Sequence, residues 1–254
     1  MAAFVGDAAV RVAWVTHHVP HSDGADWLLP GGVGGAEMTD AAMINYAPPI
    51  VSVDVLSPDD WEQALDYDRV IVTGTDYLSD TAMMGLAERK PIVWVHHQQT
   101  PNKARQRLFE LADPFVTMSQ AHCEVEAAWS GVVSEWCHGH IEVDVLPLPK
   151  REAALWSARN HPQKGLLAAR IWSRSMGLPL TELTGVERSQ VLCAMAEHEW
   201  FVFLPQGFDS CPRTLIEAEY AGCKIHTNSK AGRRDPGPLD EVMAAQGPKF
   251  WNWL

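Results

Sequence analysis

Two carboxylates, Asp209 and Glu217, stand with seven residues between them around a turn-rich segment, Gln206 to Cys211, followed by Pro212. A strand, a loop and the first turn of a helix make a ready anion site, because unpaired amides and the helix dipole point into the loop. Here those amides lie near Pro212, Arg213 and Thr214. Acids beside such a turn would repel a bare phosphate. They fit a ligand that also presents hydroxyls, as ribose and hexose do. The pattern therefore reads as a site for a nucleotide sugar.

The elements that must hold these groups are visible around them. The apolar run Phe201 to Leu204 ends at Pro205 and reads as a buried parallel strand. Pro212 fits the first helical position, the helix runs from Arg213 to Ala221, and Gly222 fits its end. Cys223 to Thr227 is the next strand. Upstream, further strands are expected at Ala153 to Ser157 and Leu180 to Leu183, with helices over Gly165 to Met176 and Arg188 to His198. The first half carries the same rhythm, with strands expected at Arg11 to Thr16, Val51 to Leu56, Asp68 to Thr73, Pro91 to His96, Pro114 to Ser119 and Ile141 to Leu148. Strands alternating with helices predict an α/β protein with parallel sheets.

The stretch from Phe201 to Asn228 resembles the donor-site signature of retaining glycosyltransferases of the GT-B fold, family 4 in particular. Glu217-Ala218 and Ala221-Gly222 match that signature, and Asp209 stands where the family has Glu. Other segments resemble it too. Arg159 and Lys164-Gly165 match a loop whose two cations hold the donor's diphosphate, with Ala158 in place of the family's Gly. Gly34-Gly35-Ala36-Glu37 resembles the segment after the first strand that faces the cleft. His96 or His97 fits the family's cleft histidine, and Ser119 its strand-Ser-helix step. The resemblance implies two Rossmann-like domains facing a cleft: an acceptor domain over 1–149 and a trimmed donor domain over 150–254. It implies a catalytic set of His97, Asp209 and Glu217, a UDP- or GDP-linked sugar as donor, and no required metal or cofactor. The compact size and the Phe-Trp-rich end also resemble phage-type enzymes.

Composition sets further bounds. Hydrophobic residues at 46% and charged residues at 20% fit a globular chain with a sizeable core. Residues 1–149 hold 7 Lys/Arg and 21 Asp/Glu, a balance of −14, whereas 150–254 hold 13 and 11, a balance of +2. The second half is thus the one that tolerates a diphosphate, and the first is a poor surface for nucleic acid. Five scattered cysteines without CxxC spacing read as reduced thiols and a cytoplasmic setting. No signal peptide and no membrane span is expected. His17, His18 and His21, and later His138 and His140, read as loop residues and not as zinc ligands.

Three activities fit these residues: a glycosyltransferase on an unknown acceptor, a nucleotide-sugar-binding module without catalysis, and a GT-B sugar epimerase. A specific form of the first is glycosylation of a hydroxymethylated base in phage DNA, which the −14 balance of the first half disfavours.

Overall fold

The computed structural model of the chain describes residues 9–17, 21–22, 27–28, 35–73, 78–96, 111–131, 134–139, 141, 143, 145, 148–159 and 161–253. Its first half forms a six-stranded parallel sheet. The strands are β1 (Val10–Val15), β4 (Val51–Leu56), β5 (Arg69–Thr73), β6 (Ile92–His96), β7 (Phe115–Thr117) and β8 (Glu135–Trp136), in the order β4-β1-β5-β6-β7-β8. A two-residue antiparallel pair, β2 (His21–Ser22) with β3 (Trp27–Leu28), lies outside it.

Continuous apolar runs make β1 and β5 central, because both faces of a parallel sheet are covered. Side chains alternate across the sheet. Ala13, Val15, Val70 and Val72 share one face with Leu78, Met83 and Leu86, under α2 (Asp80–Ala87). Val12, Trp14, Ile71, Val93 and Val95 line the other, under α1 (Gly35–Asn45). The edge strand β4 alternates half-buried and exposed residues. Helix α3 (Gln120–Ser130) connects β7 to β8.

The second sheet has four parallel strands: β9 (Arg151–Ser157), β10 (Leu180–Leu183), β11 (His198–Phe203) and β12 (Lys224–Thr227), in the order β10-β9-β11-β12. Leu155, Phe201 and Phe203 pack with Met195, Leu215 and Ala218 from α5 (Arg188–Glu197) and α6 (Arg213–Tyr220). Ala154, Trp156 and Val202 pack with Ala169 from α4 (Leu166–Ser175) on the opposite face.

The last helix, α7 (Leu239–Trp251), leaves the second sheet and completes the first. Phe250 and Trp251 sit in the cluster around Trp14, with ring centroids 5.7 and 6.3 Å from it. Trp251 donates its indole N–H to the Met43 carbonyl at 3.1 Å. Gly247 has no side chain to keep the Tyr46 ring off the helix; a methyl group there would lie 2.1 Å from that ring.

Two sequence expectations shift. The sixth strand is Glu135–Trp136, and the described residues of 141–148 are not in a strand. Ile141 packs instead with Ile216 and Met243, so its apolar alternation serves contact with α6 and α7. Pro212 is the residue before α6, with φ −65° and ψ 107°, and Arg213 is the first helical residue. Such one-residue offsets follow from Pro fixing φ but not ψ. The stretch Asn102 to Ala112, whose sequence pattern fits an amphipathic helix, lies mostly outside the described residues.

Candidate functional site

Ligands of open parallel sheets bind beyond the carboxyl ends of the strands, where the strand order reverses. In the second sheet that reversal falls between β9 and β11. Their carboxyl ends feed the loops that carry Lys164 and Asp209.

After β9 the chain runs through Arg159 to a single 3₁₀ turn, Pro162–Lys164, and then Gly165 at φ +78°. The positive φ suits glycine, and a second constraint excludes a side chain: a methyl group on Gly165 would lie 1.9 Å from the Leu204 carbonyl oxygen. The turn is therefore laid directly on the backbone leaving β11. The Gln206 N–H donates to the Gln163 carbonyl at 2.8 Å, and the Trp156 indole N–H to the Lys164 carbonyl at 3.2 Å. This seating aims the Lys164 ammonium at Asp209, with Nζ 2.6 Å from Oδ2. Arg159 is exposed and makes no side-chain hydrogen bond or ion pair among the described residues.

Asp209 is pinned as firmly as its partner. Its N–H donates to the Lys230 carbonyl at 2.8 Å, and its carbonyl accepts from the Gly232 N–H at 2.7 Å. Only 4% of the residue is exposed. Gly232 permits this approach, since a methyl group there would lie 1.8 Å from the Ser210 carbonyl oxygen.

Glu217 lies one turn into α6 and is 3% exposed. One of its oxygens, Oε1, accepts from Arg213 Nε and from Arg188 Nε, each at 3.0 Å. Oε2 makes no hydrogen bond to a described residue. Burial lowers the pKa of Arg213, and the Glu217 carboxylate beside it opposes that shift. Arg188 is the residue that sequence reading passed over as an ordinary helix start. One signal was available: Arg188 and Arg213 are both first residues of helices, where the dipole disfavours cations. The N-terminus of α6 carries no side-chain cap, which leaves the first-turn amides around Thr214 unclaimed by a side chain.

The other expected residues fall in several places. Ser119 is fully buried. Its hydroxyl accepts from His122 N–H to cap α3 and donates to the Ser210 carbonyl at 2.5 Å, joining the two halves of the chain. Glu37 is in the first turn of α1, half-buried, after Gly35. Thr73 Oγ donates to Asp40 Oδ2 at 2.6 Å and fixes α1 to the end of β5, at the strand-order reversal of the first sheet. His96 ends β6, but its side chain, Gly34 and His97 lie outside the described residues.

His138, expected to be a loop residue, is buried and joins the halves a second time. Its Nδ1–H donates to the Met118 carbonyl at 2.8 Å, and Nε2 accepts from the Asp235 N–H at 2.8 Å. Its own N–H donates to Gln246 Oε1 at 2.9 Å. These partners define the neutral tautomer, and burial lowers the pKa accordingly. Cys137 and Cys211 lie nearby with thiol pKa values pushed up by burial to about 11 and about 12, so both remain protonated packing groups. All five cysteines are free. Among the described residues no group of His, Cys, Asp and Glu forms a metal-binding cluster, and no helix is long and apolar enough to cross a membrane.

No protein-family model matches the chain, and no curated protein sequence matches it. Solved structures do. AviGT4, a glycosyltransferase involved in avilamycin A biosynthesis, is 16% identical, with a TM-score of 0.60, over 94% of this chain and 88% of that one. Anabaena HepE in complex with UDP and glucose is 13% identical, with a TM-score of 0.59, over 95% and 90%. An alpha-glucosyltransferase in complex with UDP and a 13-mer DNA containing a HMU base is 10% identical, with a TM-score of 0.54, over 96% and 90%. The likeness spans both sheets, and the chain has the mixed α/β, two-sheet GT-B fold of these glycosyltransferases.

Proposed function

We propose that the protein is a glycosyltransferase that moves a sugar from a UDP- or GDP-linked donor to an acceptor hydroxyl, with retention of configuration as in family 4. The observation that carries this reading is the Lys164–Asp209 pair at the strand-order reversal of the second sheet, one loop away from the Glu217 cluster. UDP in HepE and in the alpha-glucosyltransferase supports the donor class.

In this reading residues 150–254 hold the donor and 1–149 the acceptor. The bond between the anomeric carbon and the β-phosphate oxygen breaks, and a new bond forms from that carbon to the acceptor oxygen. The acceptor's proton goes to the departing diphosphate. Lys164 and Arg159, with the amides of Arg213 and Thr214 just after Pro212, stabilise the charge that develops on the leaving group. They supply the positive charge, so no metal or other cofactor is invoked. Asp209 accepts hydroxyls of the transferred sugar, and Glu217 Oε2 accepts the ribose hydroxyls while Oε1 is held by the arginines. His97, or His96, orients the sugar or the acceptor, and Gly34, Gly35 and Glu37 are further residues assigned to the acceptor. The five free thiols suit a cytoplasmic setting.

A hydroxymethylated base in DNA is a second acceptor reading, favoured by the DNA-bound alpha-glucosyltransferase and opposed by the −14 balance of the first half. Such a base would be flipped into the cleft. One experiment addresses both readings. The protein is incubated with a panel of nucleotide sugars, and nucleoside diphosphate release is measured alone, with small-molecule acceptors and with hydroxymethylated DNA. Release from no donor under any condition overturns the proposal.

A further inference from the structure

Arg188 and Arg213 share one oxygen of one buried carboxylate, and each does so through Nε. That leaves the outer nitrogens. Arg188 Nη2 and Arg213 Nη1 are both shut off from solvent and have no hydrogen-bond acceptor among the described residues. A buried donor without an acceptor is costly, and more so when the group is charged. Native structures rarely leave such groups unsatisfied, and an ion, a water or a ligand completes them. Two cations stand against one carboxylate, so the cluster lacks a negative charge. Both arginines also begin helices, where the dipole disfavours them, and α6 has no side-chain cap. The α5 N-terminus is taken by Glu187, whose own N–H donates to Gln190 Oε1, so the open amides are those of α6.

We infer that Arg188 and Arg213, spread and oriented by Glu217, form a forked site for a phosphate oxyanion that also takes the first-turn amides of α6. Guanidinium forks match phosphate oxygens in geometry and charge. Its cations are distinct from Lys164, whose ammonium is engaged by Asp209. Assigning the oxyanion to the nucleotide donor rests on the function proposed above; the oxyanion site itself does not. The phosphate comes either from a nucleoside diphosphate or from free phosphate or pyrophosphate, and these share the chemistry the fork reads.

Calorimetry on the full chain separates the cases. The probes are pyrophosphate, UDP, GDP and uridine, and the proteins are wild type, Arg188→Gln and Arg188→Lys. Arg188 is the better position to change because its side chain is 37% exposed, against 11% for Arg213. The expected result is that pyrophosphate binds the wild type and that Arg188→Gln weakens it by roughly tenfold or more. Arg188→Lys, which keeps the charge and loses the fork, falls between them, and uridine is unaffected by either change. Competition of UDP or GDP with pyrophosphate assigns the oxyanion to the donor, whereas pyrophosphate binding without competition assigns it to the free anion. Wild type that binds no pyrophosphate, or Arg188→Gln that binds it as wild type does, overturns the site. Arg188-dependent binding in a protein that turns over no nucleotide sugar leaves the site standing and removes the proposed reaction.

Discussion

Lys164 Nζ lies 2.6 Å from Asp209 Oδ2, although the two residues are 45 positions apart and leave different strands. Each is fixed by backbone contacts of its own, so their meeting reflects two independently built loops. The pair is 20% and 6% exposed in its side chains, buried enough for each charge to depend on the other. Lys164→Ala is expected to lower donor turnover by about 10²-fold or more, the scale seen when one group stabilising a transition state is removed. Lys164→Arg, which restores charge at a different reach, is expected to recover part of it. Nucleoside diphosphate release from the preferred donor measures both.

Gly165 is the hinge on which that geometry rests. Gly165→Ala meets both a left-handed φ of +78° and the Leu204 carbonyl oxygen. The expected cost is at least about 2 kcal/mol of stability, or a displaced turn with Lys164 drawn away from Asp209. Urea denaturation reads the first outcome, and loss of turnover at unchanged stability reads the second.

Burial lowers the pKa of His138, so the unfolded chain takes up a proton there more readily than the folded one. Its contribution to stability is complete above the ordinary histidine value of about 6.5 and is lost as pH falls through the lower folded value. His198 and His226 are shifted in the same direction, also by burial. The urea midpoint is expected to drop between pH 7.5 and pH 5.5. In His138→Gln that drop should shrink without vanishing, because the other two histidines remain. An equal drop in both proteins would show that His138 does not titrate with folding.

Trp251 is packed against Trp14 and bonded to Met43, with 7% of its surface exposed. Trp251→Ala is expected to cost about 3–5 kcal/mol, the range for emptying a large aromatic site. Trp253 is only partly buried and packs at the edge of the same cluster, so its replacement should cost less. Chemical denaturation of both variants gives the comparison.

The sheets were legible in the sequence because parallel strands are continuous apolar runs. Val12 to Val15, Val70 to Val72 and Phe201 to Phe203 are all fully or nearly fully buried, as such runs require. Glu135–Trp136 was not legible: two residues carry no period. The alternation from Ile141 onward misled for the opposite reason, since packing against Ile216 and Met243 selects apolar spacing without a ladder. Asp209 and Glu217 stood out through local spacing, and Lys164 through the resemblance of its loop to family 4. Arg188 did not, because its importance arises only when α5 lies against α6 and brings it to Glu217. His138 was hidden in the same way, with partners at Met118, Asp235 and Gln246 that no local pattern connects.

The return of α7 to the first sheet also sets a timetable. Trp14 emerges early in synthesis, yet two of the aromatic rings that cover it, Phe250 and Trp251, are about 240 residues later in the chain. The strands of the second sheet all lie within 151–227 and are made before those rings. Domains made first ordinarily fold first. Here one apolar face of the earlier-made sheet is completed only by residues of the helix Leu239–Trp251.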